Sequence, residues 1–269
     1  MSNRLSNIAT ENERVAATGS YDTATGARVS IASTLAAARA GTVSHAPEFV
    51  AAPTGPFTGE IEVTDEDSLR AARRLTDGGV EHLAVLNFAS ARNPGGGYLR
   101  GAKAQEEDLC RTALLYACLL EAPDYYAAHR ASDDLGYSHR VIFSPHVPVI
   151  RDGSRALLDE PYRVSFLTSP APNAGQLKRR SPDGKVEVRG TLTERARRVL
   201  GVAAHHGVRE LVLGAWGCGV FANDPAEVAN AFAEALATHG APFTRVTFAV
   251  WDRQPDSPNR TAFRTRFAD

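Results

Sequence analysis

Two adjacent glutamates, Glu106 and Glu107, follow a run of three glycines, Gly95, Gly96 and Gly97, after a short interval. Three residues without Cβ atoms permit positive φ angles and let main-chain N–H groups approach a ligand closely. A glycine loop that leads into a helix also favours an anion, because first-turn amides and the helix dipole attract negative charge. The pattern predicts a phosphate-binding loop beside acids capable of general acid–base catalysis. The alternatives are a plain surface loop and acids that only favour the helix dipole.

The direction of the two carboxyl groups follows from helix geometry. Neighbouring residues of a helix diverge by about 100°, so we expect Glu106 and Glu107 to point in different directions. Cys110 and Leu114 belong to the apolar stripe of this helix, which predicts Glu107 at its inner edge and Glu106 to one side. The helix N-terminus would lower a carboxyl pKa, whereas burial and a bound diphosphate would raise it. The sequence leaves that balance open.

A second glycine-rich loop lies further along the chain and contains Gly217, Gly219 and Ala222 in GxGxxA spacing. The acidic residue that a nicotinamide-binding site needs about 20 positions later is absent. We therefore predict a second phosphate-binding turn, with Phe221 available to pack on a sugar or base. The alternative is a glycine-rich turn around a core phenylalanine. Cys218 has no histidine nearby in sequence, which argues against a nucleophilic role.

Both loops follow apolar runs typical of buried strands and precede helical patterns. Such alternation predicts an α/β fold in which helices cover both faces of a sheet and ligands bind at the carboxyl ends of strands. The predicted strands span 61–63, 83–86, 141–143, 164–167, 211–213 and 246–251, and the predicted helices span 69–75, 105–120, 191–206 and 225–239. Residues 170–190, which include the basic triplet 178–180, carry prolines and glycines typical of a loop.

Three prolines between residues 46 and 57 indicate a linker. They divide the chain into an N-terminal helical extension with its linker, 1–54, and a main domain, 55–269. His205 and His206 lie at the end of a predicted helix, and no further His, Cys or Asp spacing completes a metal site around them. The sequence therefore predicts no bound metal.

Composition excludes other classes of function. Lys and Arg total 30 and Asp and Glu total 31, a net charge of −1, which argues against a broadly basic nucleic-acid binder. Three cysteines without CxxC spacing indicate reduced thiols in a cytoplasmic protein. The polar N-terminus predicts no secretory signal. No apolar run approaches the length of about 18 residues that a membrane span needs.

The spacing from Gly95-Gly96-Gly97 through seven residues to Gln105-Glu106-Glu107 resembles the signature of poly(ADP-ribose) glycohydrolases. Asn93-Pro94 and the segment 214–221 resemble the microbial branch of that family, and the similarity covers roughly residues 55–265. The resemblance implies a macrodomain-like α/β/α sandwich with a mixed central sheet that binds ADP-ribose. It also implies hydrolysis of ribose–ribose O-glycosidic bonds, mainly from the free end of the polymer.

The resemblance further assigns roles to individual residues. Glu107 would be the catalytic acid and then the base, Glu106 would hold the adjacent ribose hydroxyls, and Phe221 would orient the terminal ribose. The remaining substrate-binding residues implied in this way are Asn87, Asn93, Gly95, Gly96, Gly97, Gln105, Gly217, Cys218, Gly219 and Val220. Residues 65–68 and the C-terminal tail are the candidates for adenine recognition.

The expected partners are poly(ADP-ribose), ADP-ribose and poly(ADP-ribosyl)ated proteins. We expect a monomer that needs no cofactor and binds neither DNA nor a membrane. Two other functions stay open: a non-catalytic macrodomain that only binds ADP-ribose, and a hydrolase that removes mono-ADP-ribose from proteins. Adjacent acids beside a diphosphate site argue against the first, because a protein that only binds ADP-ribose gains nothing from them.

Overall fold

The computed structural model describes residues 2–180, 188–254 and 256–267. Its strands are β1 (Ser20–Asp22), β2 (Arg28–Ser30), β3 (Val43–His45), β4 (Glu60–Thr64), β5 (Leu83–Phe88), β6 (Val141–Arg151), β7 (Leu157–Ser169), β8 (Glu210–Leu213) and β9 (Arg245–Ala249). Its helices are α1 (Ser2–Thr18), α2 (Ala32–Ala40), α3 (Ser68–Asp77), α4 (Gln105–Thr112), α5 (Leu115–Leu119), α6 (Pro123–Arg130), α7 (Ala174–Arg180), α8 (Val188–His205), α9 (Pro225–His239) and α10 (Pro258–Phe267). A short 3-10 helix, Tyr98–Arg100, precedes α4.

Seven strands form one mixed sheet in the order β3-β6-β7-β5-β8-β9-β4. All neighbouring pairs from β7 to β4 are parallel, whereas β6 is antiparallel to β7 and β3 is antiparallel to β6. Strands β1 and β2 form a separate antiparallel pair. The mixed sheet confirms the predicted fold class.

Strand β5 shows how the sheet divides two apolar layers. Side chains alternate between the faces of a strand, so Leu83 and Val85 join the core that packs against α3, α4, α5 and α6. Ala84 and Leu86 join the opposite core, formed with α8, α9 and α10. Because both faces are buried, the run is apolar without interruption, as is typical of parallel strands covered by helices.

The N-terminal segment contains more strand than the sequence predicted. Val43 and His45 in β3 pair with Phe143 and Val141 in β6, so residues before position 54 supply an edge strand of the central sheet. Strands of three residues are too short to give a periodic signal. The division of the chain at residue 54 stays a prediction.

The predicted helix over 105–120 is wrong in one respect, because it breaks between α4 and α5. Ala113 adopts an extended conformation and forms a β-bridge with Val149, and Leu114 donates from its amide to the carbonyl of Pro148. Pairing with β6 thus overrides the local helical preference.

Two other segments also differ from expectation. The basic triplet lies at the end of α7 rather than in a loop, and residues 181–187 of the predicted loop lie outside the described residues. Helix α10 had no counterpart in the sequence analysis.

The parallel arrangement brings several loops together, because the carboxyl ends of β4, β5, β7, β8 and β9 lie at one edge of the sheet. The loop after β5 leads to α4, and the loop after β8 leads to α9. Both glycine-rich loops therefore meet at this edge. Within the described residues, no helix has the length and apolar character to cross a bilayer.

Candidate active site

Gln105, the first residue of α4, fixes the start of this helix against the end of β5. Its Oε1 accepts from the amide of Phe88 at 2.9 Å, and its Nε2 donates to the carbonyl of Leu86 at 2.8 Å and to Ser68 Oγ at 3.1 Å. One side chain therefore joins α4, β5 and the N-terminus of α3. The two residues that follow it are held in place at the sheet edge.

Glu106 is 3% exposed and lies beneath the loop after β5. Its Oε2 accepts from the amide of Ser90 at 2.6 Å, and its Oε1 accepts from Asn87 Nδ2 at 3.2 Å. Burial raises the pKa of Glu106 to about 8, and the charge of Glu107 adds to this rise, while hydrogen bonds from Ser90, Asn87 and the Gly95 backbone oppose it. For Glu106, burial therefore outweighs the hydrogen bonds that would lower its pKa.

Glu107 is 8% exposed, and its Oε1 accepts from the amide of Gly97 at 2.8 Å. Gly96 lies between the two acids with a φ of +58°. A Cβ at this position would lie 2.6 Å from Oε1 of Glu107 and 3.2 Å from Oε2 of Glu106. The expectation that the carboxyl groups point apart is therefore wrong. Both side chains extend toward the same glycine, because two rotatable side chains compensate for the angle between their Cα positions.

The other two glycines of the run are equally confined. Gly95 has a φ of +62°, and a Cβ there would lie 2.9 Å from the ring of Tyr116. A Cβ at Gly97 would lie 2.5 Å from the Cβ of Ala102. The run of glycines thus lets the chain pass close to Tyr116, Ala102 and the carboxyl groups of α4.

Packing contacts and hydrogen bonds to the end of β7 fix the base of the second loop. Gly217 has a φ of +71° and packs against Ala171 and Asn223. The side-chain amide of Asn223 donates to the carbonyls of Pro172 at 2.9 Å and of Gly217 at 3.2 Å. Trp216, 1% exposed, donates from its indole to the carbonyl of Ser169 at 3.0 Å. The base of this loop is therefore anchored to the end of β7.

The tip of the second loop is open. A Cβ at Gly219 would meet nothing within 4 Å, and Val220 is 90% exposed. Among the described residues, no acceptor bonds to the amides of Gly219, Val220 and Phe221. Phe221 is half-buried, and its carbonyl accepts from the amide of Gly175 at 2.9 Å. This tip presents free donors in the way an anion-binding loop requires.

Three further predicted residues have partners or positions within the protein itself. Asn87 is fully buried and bonds to Glu106 and Thr168. Asn93 is exposed and shapes the turn, because its carbonyl accepts from the amide of Gly96 at 3.0 Å. Burial raises the pKa of the Cys218 thiol to about 12, with Asp224 as a smaller cause, which argues against a nucleophilic thiolate.

A cavity of about 650 Å³ lies beside these loops and is lined by residues from several strand ends, among them Ser68, Phe88, Gln105, Ala215 and Trp251. A neighbouring cavity of about 720 Å³ lies between α3 and the hairpin of β6 and β7, and neither Glu106 nor Glu107 lines either cavity. The first cavity reaches from Gln105, which precedes the two glutamates in sequence, to Trp251 after β9.

The sequence analysis missed the contribution of α1 to this site. Asn12 is fully buried and donates from Nδ2 to the carbonyls of Cys110 at 3.3 Å and Arg111 at 2.9 Å, near the end of α4. The hydroxyl of Tyr98, directly after the glycine run, donates to Glu13 Oε1 at 3.3 Å. Only the position of Tyr98 beside the glycines was a signal in the sequence, since Asn12 lies 98 residues from Cys110.

In the part of the chain that the structure describes, no group of three or more His, Cys, Asp or Glu side chains is arranged to hold a metal ion. His45 and His206 instead bond to each other through their Nε2 atoms at 2.8 Å, at the far side of the sheet next to β3.

Comparison with known proteins identifies the family to which the chain belongs. The family model described as "Microbial-type PARG, catalytic domain" matches residues 9–152. The structure of poly(ADP-ribose) glycohydrolase (PARG) from Thermomonospora curvata is 47% identical and has a TM-score of 0.88, and the match covers 98% of this chain and 100% of that one. The same enzyme bound to the inhibitor ADP-HPD matches with a TM-score of 0.87.

A PARG from Deinococcus radiodurans in complex with ADP-ribose is 48% identical, with a TM-score of 0.81, over 87% of this chain and 97% of that one. No curated protein sequence matches this chain significantly. The family match and the near-complete alignment with solved enzymes agree with the acids and glycine loops described above. The chain therefore belongs to the microbial-type poly(ADP-ribose) glycohydrolases, glycoside hydrolases that act on poly(ADP-ribose).

Proposed function

We propose that this enzyme removes ADP-ribose units mainly from the free end of poly(ADP-ribose), with Glu107 as general acid and then general base. The observation that carries the proposal is the convergence of Glu106 and Glu107 on Gly96, where a Cβ would lie within 3.2 Å of an oxygen of each carboxyl group. Ligand complexes of the relatives, with ADP-ribose and with ADP-HPD, support an ADP-ribose site in this chain.

Each part of the ligand has a different binding region in the two loops or the cavity. The free amides of Gly219, Val220 and Phe221 suit the diphosphate, which needs donors and carries negative charge. The half-buried ring of Phe221 suits a sugar face next to it. The cavity with Ser68 and Trp251 has the size and the aromatic edge that an adenosine requires. This arrangement directs the terminal ribose toward the glutamates.

In the reaction, Glu107 protonates the ribose 2′ oxygen as its bond to C1″ breaks. Positive charge develops on the sugar, and the bound diphosphate stabilises it electrostatically. The Glu107 carboxylate then accepts a proton from a water molecule that attacks C1″. Most glycosidases use two carboxylates on opposite sides of the bond. Here one glutamate serves in both steps, and the diphosphate supplies the second negative charge.

Glu106 is suited to hold the adjacent ribose hydroxyls rather than to transfer the proton. Its carboxyl group is held in place by hydrogen bonds from the amide of Ser90 and from the side chain of Asn87. Its raised pKa, about 8, allows the neutral form of Glu106 to be populated near neutral pH. A neutral carboxyl both donates to and accepts from hydroxyl groups.

Cleavage from the free end is supported by the walls of the cavity. Leu5 of α1 lines one part of the cavity, and Trp251 and Asn259 line another. We infer that these residues enclose a terminal adenosine and leave no path for a polymer that continues past it. A terminal unit, with nothing attached at that end, fits without such a passage.

The experiment that tests this function compares wild type, Glu107→Gln and Glu106→Gln on three substrates: long poly(ADP-ribose), end-labelled polymer of defined length, and a mono-ADP-ribosylated protein. The proposal predicts free ADP-ribose from the polymer with wild type, loss of release with Glu107→Gln, and monomers rather than oligomers from the labelled ends. Release only from the mono-modified protein would favour the mono-ADP-ribosyl hydrolase. Tight binding without release by wild type would favour the non-catalytic macrodomain.

A further inference from the structure

Arg195, on α8, is a buried cation that the proposed mechanism does not use. It is fully buried and donates to three carbonyls, those of Gly136 at 2.7 Å, Pro170 at 2.8 Å and Tyr137 at 3.0 Å. Among the described residues, no carboxylate forms an ion pair with it. A guanidinium is costly to bury, so its position requires an explanation beyond the packing of α8.

Two of these carbonyls belong to a segment with unusual backbone geometry. Tyr137 has a φ of +60°, a conformation that a bulky side chain rarely adopts. Such a residue persists only where its surroundings fix it. The hydrogen bonds from Arg195 to the carbonyls of Gly136 and Tyr137 provide that constraint.

The third carbonyl connects Arg195 to the second glycine loop. Pro170 precedes Ala171, which packs against Gly217 at the base of this loop. At its tip, the ring of Tyr137 lies beside the ring of Phe221, with centroids 6.1 Å apart and planes tilted by 40°. This separation is within the range of aromatic pairs. The carbonyl of Phe221 is already held by Gly175, so Tyr137 restrains the remaining freedom, that of the ring.

We propose that Tyr137 is a positioning residue that holds the ring of Phe221 in the orientation needed for the terminal ribose, and that Arg195 fixes Tyr137 for this purpose. The inference rests on the proposed function, because it assumes that Phe221 contacts the sugar. It assigns the buried cation and the left-handed tyrosine a shared role at the edge of the substrate site.

The test measures kcat and KM for polymer cleavage in a double-mutant cycle of Tyr137 and Phe221. Tyr137→Gly keeps the left-handed backbone and removes the ring, and we expect roughly a three- to tenfold loss of kcat/KM, the range that an aromatic pair contributes. Tyr137→Phe keeps the ring and should retain wild-type kinetics. In the Phe221→Ala background, Tyr137→Gly should cause no further loss.

Thermal unfolding of each variant shows whether a loss of activity comes from a loss of folding. Arg195→Lys keeps the positive charge but not the planar set of donors of the guanidinium, and it should reproduce part of the loss of kcat/KM seen in Tyr137→Gly. Full and independent losses from both single variants would overturn the proposal. An equal loss in Tyr137→Phe would also overturn it, because the hydroxyl rather than the ring would then act. Absence of polymer cleavage by wild type would instead refute the proposed function.

Discussion

The two glycine-rich loops have similar composition and opposite hydrogen bonding. In the first loop, the amides of Ser90 and Gly97 donate to the carboxyl groups of Glu106 and Glu107. In the second loop, the amides of Gly219, Val220 and Phe221 have no acceptor within the described parts of the chain. A glycine run therefore does not by itself indicate a phosphate cradle. The first loop holds acids in place, whereas the second presents unused donors.

The glycines of the first loop are also more closely packed than those at the tip of the second loop. Gly95 is buried between Tyr116 and Cys110, and Gly96 is confined by the two acids, whereas Gly219 faces open space. The first loop is thus fixed before substrate arrives, which suits groups that must be accurately placed for acid–base chemistry. The second loop has room to adapt, which suits a flexible diphosphate.

The largest effect should come from Glu107→Gln. If this residue alone transfers the proton, kcat should fall by about 10² to 10⁴, while the affinity for ADP-ribose changes little, because the second loop binds the diphosphate. Steady-state kinetics and calorimetric titration with ADP-ribose measure the two quantities. A variant that loses both equally would contradict the division of roles between the loops.

A substitution of one glycine in each loop sharpens the comparison. Gly96→Ala forces a Cβ against both carboxyl groups at a positive φ, and we expect a loss of about 2–4 kcal/mol in unfolding free energy and a large loss of kcat. Gly219→Ala is the matched control, since its Cβ meets open space, and its unfolding free energy should change by less than about 0.5 kcal/mol. Similar effects in both variants would remove the distinction between a confined and an open loop.

The first loop should also depend on α1. Asn12→Ala leaves the carbonyls of Cys110 and Arg111 without their donor, and a buried group left unsatisfied costs about 1–3 kcal/mol. Denaturant unfolding measures this loss. Binding of ADP-ribose through the second loop should persist under conditions where the variant is folded. Equal weakening of binding would show that the two loops are not independent.

The smallest effect is a pH dependence of stability. Because the pKa of Glu106 rises from 4.5 in the unfolded chain to about 8 in the fold, its contribution to stability is fully present below pH 4.5 and is lost as the pH rises through about 8. At about 1.4 kcal/mol per pH unit below the folded pKa, wild type should lose about 2 kcal/mol relative to Glu106→Gln between pH 6 and pH 8. If the unfolding free energies of the two proteins changed in parallel between pH 6 and pH 8, Glu106 would be ionised over this whole range and the prediction would be wrong.

Much of the fold followed from local patterns. The uninterrupted apolar run of β5 predicted a buried strand, and Asp67 caps α3 through the amides of Leu69 and Arg70, as expected for a helix start. The helix over 105–120 failed because Ala113 pairs with β6, a contact that local sequence does not encode. The sequence analysis missed strand β3 for the same reason, because this strand is recognised by its pairing with β6.

By itself, the sequence determined the chemistry available: two acids, a run without side chains at fixed spacing from them, and a second glycine turn after a strand. Only the tertiary structure decided which amides stay free, that both acids face Gly96, and that Asn12 and Arg195 support the loops from distant helices. The reason is physical. Spacing and backbone preference act over a few residues, whereas hydrogen-bond partners and burial are set by elements that the chain brings together only when the whole sheet and its two helical layers pack.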